Sequence, residues 1–191
     1  MTLLKRIEKY EPVNEQERID KNAILNFMKN HADCFNRDNL IGHMTCSIWT
    51  INKAHTKTLM VYHNIYDSWS WIGGHADGIE NLSEVAMREL QEETGVKHAR
   101  LVSDEIFSIE VLPVSGHEKK GKYVPSHLHL NITYLAEADE EEVLLVNVDE
   151  NKGVKWFTFE EVLKVSKEPW FVERIYKKLI EKVRTIDHGA K

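Results

Sequence analysis

GHADGIENLSEVAMRELQEETGV, residues 74–96, is the stretch that decides the fold of this chain. Three of its glutamates, Glu89, Glu92 and Glu93, are spaced so that all of them occupy neighbouring positions of a helix. Like charges three or four residues apart repel each other, by about 0.2–0.5 kcal/mol per pair in an exposed helix. Keeping all three therefore requires something that offsets the repulsion.

The position of two of these glutamates on the helix indicates that a metal ion offsets the repulsion. At about 100° per residue, Glu89 and Glu93 continue the apolar stripe that begins at Leu82 and Val85. A solvated acidic face would lie opposite such a stripe. The helix is therefore predicted to start against a core and to run its later turns into a polar cavity, where carboxylates suit Mg²⁺ or Mn²⁺. The alternative is a charged surface helix with ion pairs through Arg88.

The residues around this helix fit the same interpretation. Gly74 and Gly78 precede it in a loop that can turn sharply and bring the backbone close to a ligand. Asn81 or Ser83 can cap the helix that follows. Gly95 stands where a glycine commonly ends a helix.

The whole stretch resembles the Nudix box: glycine, five residues, glutamate, seven residues, arginine and glutamate, an aliphatic residue, one residue, two glutamates, one residue, glycine, and an aliphatic residue. The sequence matches at every one of these positions: Gly74, Glu80, Arg88, Glu89, Leu90, Glu92, Glu93, Gly95 and Val96. The resemblance implies an α+β fold, an α/β/α sandwich with a mixed β-sheet between helices. A single domain over residues 1–191 is predicted, with its core at about residues 40–165, an N-terminal helical extension over residues 1–39 and a C-terminal helix over residues 166–191.

What the resemblance implies about function is metal-dependent hydrolysis of the pyrophosphate bond in a nucleoside diphosphate linked to another moiety. Glu89, Glu92 and Glu93, with the Gly74 carbonyl, would hold Mg²⁺ or Mn²⁺. Arg88 would form ion pairs within the box, and Glu80 would orient the ligands. A glutamate after the box would assist, and the sequence does not choose among Glu140, Glu141, Glu142 and Glu150.

Composition limits the partners that we expect. The formal net charge of −6 provides no basic surface for duplex nucleic acid or an anionic membrane, which leaves a small nucleotide-type substrate. Nucleotide sugars, ADP-ribose, dinucleoside polyphosphates and nucleoside triphosphates all remain open. Two cysteines do not make a disulfide framework. With neither a signal-peptide core nor 18 consecutive apolar residues, the sequence predicts a cytoplasmic protein.

The remaining segments predict the other elements. Residues 1–12 carry alternating charges and predict a short strand or an extended arm. Capping patterns begin helices at Asn14 and at Thr158, and a last helix from Pro169 to about Ile186 offers a core or dimer face. Strands are predicted at residues 41–51, 58–63, 99–114 (one or two), 127–136 and 154–157.

Aromatic and basic side chains outside the box are candidates for substrate binding. Trp69 and Trp71 lie just before the glycine loop, where either a base-stacking role or a place in the core is open. Residues 115–126 predict a loop or hairpin tip that carries Lys119, Lys120 and Lys122. These lysines could contact phosphates or simply be solvated.

Residues 127–136 alternate clearly, so His127, His129, Asn131 and Thr133 share one face of a strand. On an edge strand this would be a solvated face, whereas in a sheet covered on both sides it would line a polar cavity. His127 and His129 could also bind zinc, but no third ligand of matching character is evident, which argues against a zinc site.

Two rival functions are considered. An isopentenyl-diphosphate isomerase-like enzyme would need a cysteine close to the glycine loop, and residues 67–74 contain none. Cys46, inside a predicted strand, is expected to be a buried and inert thiol. A nucleotide-sensing module without catalysis would be favoured by a degenerate box, and this box is intact.

Overall fold

The computed structural model describes residues 1–65, 67–119 and 121–189, and it describes no side chain at Lys119 or at residues 187–189. The helices are α1 (Leu3–Lys9), α2 (Glu15–Asn30), α3 (Leu82–Thr94), α4 (Phe159–Val165), α5 (Pro169–Phe171) and α6 (Lys177–Gly189), with a π-helical segment, Val172–Tyr176, between α5 and α6. The strands are β1 (Gly42–Asn52), β2 (Lys57–His63), β3 (Ser68–Ser70), β4 (Ile72–His75), β5 (Arg100–Leu101), β6 (Ser108–Val114), β7 (His117–Lys119), β8 (Lys122–Val124), β9 (His127–Ala138) and β10 (Asn151–Thr158).

Eight of the strands form one sheet in the order β10-β2-β1-β9-β5, with β3 paired to β2, β4 to β1 and β6 to β9. The strands β7 and β8 form a separate hairpin. A mixed sheet accompanied by helices at both ends of the chain confirms the α+β fold class. The predicted hairpin of the first two strands is confirmed by the antiparallel pairing of β1 and β2.

By its contacts the chain divides into two compact units. Unit 1 contains Met1–Ser47, Gly73–Ala86 and Ser103–Tyr134, and unit 2 contains Ile48–Ile72, Met87–Val102 and Leu135–Lys191. The prediction of a single domain is not tested by this division and stays a prediction.

Unit 1 begins with a helix, so the predicted strand or arm at residues 1–12 is wrong. Thr2 caps α1 by accepting a hydrogen bond from the backbone N–H of Lys5, and Leu3 and Ile7, one turn apart, are buried. That spacing by four is the helical signal that the alternating charges obscured. The next helix, α2, starts at the predicted cap, Asn14, whose side chain accepts from the backbone N–H of Glu17.

The side chain of Glu17 does not complete a capping box, because it turns into the unit. It is fully buried, and it accepts hydrogen bonds from the Tyr10 hydroxyl at 2.7 Å and from the Ser108 hydroxyl at 2.9 Å. Burial and the Glu17 charge raise the pKa of Tyr10, so the phenol stays a donor. These bonds tie α2 to β6, on which it packs.

Unit 2 is organised by the pairing of β2 with β10 and by the C-terminal helices. Thr158 and Glu161 form the predicted capping box at the start of α4. The predicted face of the last helix is buried in the unit, where Ile175, Leu179 and Val183 are 0% exposed, which confirms the core role. The sequence contained no signal for the π-helical turn in that helix, and a dimer stays a prediction.

No helix in the described part of the chain combines the length and the apolar character needed to cross a bilayer.

Gly73, in β4, fixes the close approach of the glycine loop to β1. An added Cβ would overlap the Cys46 carbonyl oxygen and lie 2.8 Å from the Ser47 hydroxyl oxygen. We expect Gly73→Ala to lower the free energy of unfolding by about 1–3 kcal/mol, as overpacking does, measured by urea denaturation. Gly121→Ala is the comparison, because no described atom beyond its chain neighbours lies within 4 Å of its added Cβ, and backbone strain at φ +74° is the cost expected there. An equal loss in the two variants would contradict the close packing.

Candidate functional site

The burial of α3 follows the predicted stripe. Glu93 is 4% exposed, and the side chain of Glu89 is 15% exposed. The side chain of Glu92, by contrast, is 58% exposed. Two carboxylates therefore lie on the buried side of the helix, as predicted, with the third at its solvated edge. Gly95 ends the helix at φ +75°, a backbone conformation that favours glycine.

Glu93 is held by a residue that the sequence did not single out. Asn151, at the start of β10, donates a hydrogen bond from Nδ2 to Glu93 Oε2 at 2.9 Å. Asn151 is 1% exposed, and its Oδ1 has no hydrogen-bond partner in the described part of the chain. It stands at the end of the acidic stretch of residues 137–151, and only the tertiary structure brings it to α3.

Glu89 lies in an environment that disfavours its charge. Burial raises the pKa of its carboxyl, the hydrogen bond and charge of Arg88 lower it, and the charges of Glu92 and Glu150 raise it again. Arg88 Nη2 lies 3.0 Å from Glu89 Oε1, and Arg88 Nε lies 3.7 Å from Glu92 Oε1. Arg88 therefore forms the predicted ion pairs within the box, but one half-exposed guanidinium is shared between two carboxylates.

The glycine loop belongs to unit 1. The Gly74 carbonyl oxygen lies 3.8 Å from Cys46 Sγ, and the backbone N–H of Ala76 donates to the Met44 carbonyl at 3.1 Å. Glu80 is exposed, and its predicted orienting role stays a prediction.

The position of Cys46 corrects one sequence argument. Residues 67–74 contain no cysteine, yet β1 brings the Cys46 thiol to the glycine loop, so proximity along the chain was the wrong criterion. Cys46 is 1% exposed, as predicted for a buried thiol.

The acidic residues after the box have different surroundings. Glu140 is paired with Lys57 and accepts a hydrogen bond from Asn52 at 2.9 Å. Glu142 accepts from the backbone N–H groups of Lys97 and His98 at 2.8 and 3.1 Å. Glu141 and Glu150 are exposed.

The two tryptophans before the box pack against other aromatic rings of unit 2. Trp69 meets the rings of Tyr62 and Phe157 edge-on, with centroids 5.3 and 4.8 Å away. Trp71 is 9% exposed and packs edge-on against the ring of Tyr176 at 6.1 Å. This packing favours the core alternative for both, and substrate binding by either stays untested.

Of the three lysines of residues 115–126, Lys122 is exposed on β8 and Lys119 ends β7. Lys120 lies outside the described residues. Phosphate contacts by this hairpin stay a prediction.

The polar face of β9 is buried, which excludes a solvated edge. Asn131 is 1% exposed and sits at the centre of a hydrogen-bond network. Its Oδ1 accepts from Thr45 at 3.0 Å and from Ser47 at 3.1 Å. Its Nδ2 donates to Glu110 at 3.2 Å and to Thr133 at 3.1 Å. This face of β9 therefore lines a polar interior, and the side chains that hydrogen-bond with Asn131 fill that interior.

The histidines of this face do not stand alone. His129 lies beside His127, and β1 and β4 bring His43 and His75 to them, with ring centroids 5.1 and 4.8 Å from His129. The expectation that His127 and His129 have no third ligand of matching character is therefore wrong. Strand alternation could pair His127 with His129, but nothing in the sequence gave the alignment of β1 and β4 beside β9.

Comparisons with known proteins match the chain to a family model and to part of a relative. The model of the NUDIX domain matches residues 43–179. The chain is 33% identical over 98 residues to the rat (Rattus norvegicus) bis(5'-nucleosyl)-tetraphosphatase [asymmetrical], a match that covers 51% of this chain and 60% of the relative. The chain thus spans less than two thirds of the length of that relative.

Solved structures show the same fold at low identity. A C. elegans Ap4A hydrolase in a binary complex superposes with a TM-score of 0.54 at 20% identity, covering 76% of this chain and 98% of that one. A NUDIX-family hydrolase from Clostridium perfringens superposes with a TM-score of 0.52 at 21% identity, covering 75% and 97%.

The Asn131 network makes a stability prediction. Asn131→Ala leaves the buried Glu110 without one of its donors, and we expect it to lower the free energy of unfolding by about 2–4 kcal/mol, since each unsatisfied buried group costs about 1–3 kcal/mol. Urea denaturation measures this. Asn22→Ala, at an exposed position of α2, is the control and should change the free energy by less than about 0.5 kcal/mol. Similar losses in both variants would show that the network is not stabilising.

Proposed function

The chain belongs to the Nudix family, and from this premise we propose that it is a pyrophosphohydrolase, which cleaves the pyrophosphate bond of a nucleoside diphosphate linked to another moiety. The observation that carries the proposal is the placement of Glu89 and Glu93 of the intact box on the buried side of α3. An acidic helix that served only solubility would expose these two side chains.

The carboxylate oxygens of α3 are ligands that suit a hard divalent cation. Members of the family generally use divalent metals. Here burial and the charges of Glu92 and Glu150 disfavour the ionised form of Glu89, although Arg88 lies beside it. A cation of charge two among these oxygen ligands would favour the ionised carboxylates, and Mg²⁺ or Mn²⁺ matches ligands of this kind.

The roles of this chain's residues follow from their positions. Glu89 and Glu93 would hold the metal, with Glu92 at the solvated edge and the Gly74 carbonyl as the further ligand that the family resemblance implies. When bound, the metal supplies charge neutralisation at the pyrophosphate and a water of lowered pKa. Asn151 fixes the direction of Glu93 by its hydrogen bond to Oε2. Phosphoryl transfer depends mainly on such positioning and on charge stabilisation.

Glu150 is our choice for the assisting acid. Its charge contributes to the raised pKa of Glu89, so it lies within electrostatic reach of the box helix. Glu140 and Glu142 are already engaged by a lysine and by backbone N–H groups, respectively. An exposed carboxylate near the metal ligands is available to accept a proton from water.

Dinucleoside polyphosphates are the substrate class to test first. The rat relative is named a bis(5'-nucleosyl)-tetraphosphatase, and one of the similar structures is an Ap4A hydrolase. These names supply a starting point. Nucleotide sugars, ADP-ribose and nucleoside triphosphates complete the panel.

The test is hydrolysis of this panel with Mg²⁺ or Mn²⁺, followed by chromatography of the nucleotide products, for the wild type and Glu93→Gln. The amide keeps an acceptor for Asn151 but removes the charge. We expect kcat to fall by about 10²–10³-fold or more, the effect of removing one group that stabilises transition-state charge.

Glu84→Gln, on the exposed side of α3, is the matched control and should keep wild-type activity. Equal activity of Glu93→Gln and the wild type would contradict the metal-ligand role. A wild type that binds nucleotides without turnover would instead indicate the sensing module. Isomerisation of isopentenyl diphosphate, with no anhydride cleaved, would indicate the isomerase.

A further inference from the structure

Four imidazoles of unit 1 converge at one point, and the box chemistry uses none of them. His43 is on β1, His75 ends β4, and His127 and His129 begin β9. The ring centroids of His43 and His75 are 5.2 Å apart, and those of His75 and His129 are 4.8 Å apart. Ring nitrogens of His43, His75 and His129 that can bind a metal all lie within 4.8 Å of one another.

The hydrogen bonds of His43 prepare it as a metal ligand. Its Nδ1 lies 3.3 Å from the Asn39 carbonyl oxygen, which can only accept, so Nδ1 carries the proton. The lone pair is then on Nε2, which is buried without a hydrogen-bond partner in the described part of the chain, and the residue is only 4% exposed. Metal-binding histidines commonly donate their other N–H to a backbone carbonyl in this way.

Hydrogen bonds also orient His127 and His129 on β9. His127 Nδ1 lies 2.8 Å from the Pro125 carbonyl oxygen, so this nitrogen is protonated and His127 Nε2 accepts. The Nε2 atoms of His127 and His129 are 3.2 Å apart. His129 therefore donates from Nε2 and keeps its lone pair on Nδ1. His127 orients His129, as an outer hydrogen-bond partner orients a ligand.

We propose that His43, His75 and His129 bind one zinc ion through imidazole nitrogens, a ligand set that shares no residue with the carboxylates of α3. Imidazole nitrogen suits Zn²⁺, whereas Mg²⁺ and Mn²⁺ prefer oxygen, so one chain can keep two metals apart by ligand type. Three histidines with a fourth position open to water are a known zinc arrangement. Tetrahedral zinc with Zn–N of about 2.0–2.1 Å places ligand nitrogens about 3.4 Å apart, and one nitrogen of each of the three rings lies within 4.8 Å of the other two.

A purely structural role explains the cluster less well. A hydrogen-bonded histidine core would give each buried nitrogen a donor or an acceptor, since an unsatisfied buried group costs about 1–3 kcal/mol. His43 Nε2 has none in the described part of the chain. A metal at this point gives that lone pair a partner.

The test is metal retention by the whole chain. Wild type, His75→Gln, His129→Gln and two controls, His117→Gln and Glu93→Gln, are loaded with Zn²⁺, dialysed against excess Mg²⁺ and assayed for zinc by mass spectrometry. His117 is a half-buried histidine on β7 of the same unit, and it is not among the histidines that converge on His129. Competition with a chromophoric chelator then gives the zinc affinity, and substitution with Co²⁺ reports the ligand geometry by visible absorption.

We expect about one zinc per chain in the wild type and in both controls, with the visible bands of four-coordinate Co²⁺. Each of the two ligand variants should lose more than about 100-fold in zinc affinity, beyond the 10–100-fold that loss of an outer partner causes. Far-UV circular dichroism of the metal-free variants checks their folding, and the half-buried His75 provides a variant if His129→Gln does not fold.

Wild type that loses its zinc to Mg²⁺ would overturn the proposal. Wild-type affinity in both folded ligand variants would also overturn it. Loss of zinc by Glu93→Gln alone would assign the ion to the box. Because retention is measured without substrate, a failure here is distinguishable from a failure of the proposed hydrolysis.

Discussion

Repulsion between two carboxylates on the buried side of one helix is the constraint on which the proposed chemistry depends. Glu89 and Glu93 are one turn apart on α3, and both are largely withdrawn from water. Two charges about 6 Å apart repel by about 0.7 kcal/mol in water but by about 3 kcal/mol at an effective dielectric of about 20. Burial thus raises the repulsion energy from a negligible value to one as large as the loss of stability in a strongly destabilised variant. The hydrogen bond from Asn151 and the charge of Arg88 offset only part of this repulsion. A divalent cation, of the kind that the family generally uses, would offset the rest.

In the polar interior of unit 1, by contrast, buried side chains satisfy one another by hydrogen bonds. Asn131 joins β1, β6 and β9 through its amide, so the polar face of β9 can be buried with its hydrogen bonds made. Toward the start of β9 the same face continues as His129 and His127, where the partners are other imidazoles. One strand therefore carries a closed hydrogen-bond network at its centre and a set of nitrogen lone pairs at its beginning.

Local signals made much of the fold predictable from the sequence. The caps Asn14 and Thr158 and the stripe of α3 depend on neighbours within one turn, and each is found as predicted. The short helix α1 was missed because its signal consists of only Thr2, Leu3 and Ile7. The contacts of Asn151, Cys46 and His43 were missed for another reason. Their contacts with Glu93, Gly74 and the β9 histidines join residues far apart in the chain, and spacing along the sequence carries no information about them.

The central claim is that the acidic pair of α3 is a cation site, and thermal unfolding with and without Mg²⁺ tests it most directly. At Mg²⁺ about 100 times above its Kd, binding stabilises by about 2.7 kcal/mol, which for a chain of this size raises Tm by about 5–11 °C. We expect that rise for the wild type and none for the double variant Glu89→Gln with Glu93→Gln. The same rise in both proteins, or none in the wild type, would contradict the account.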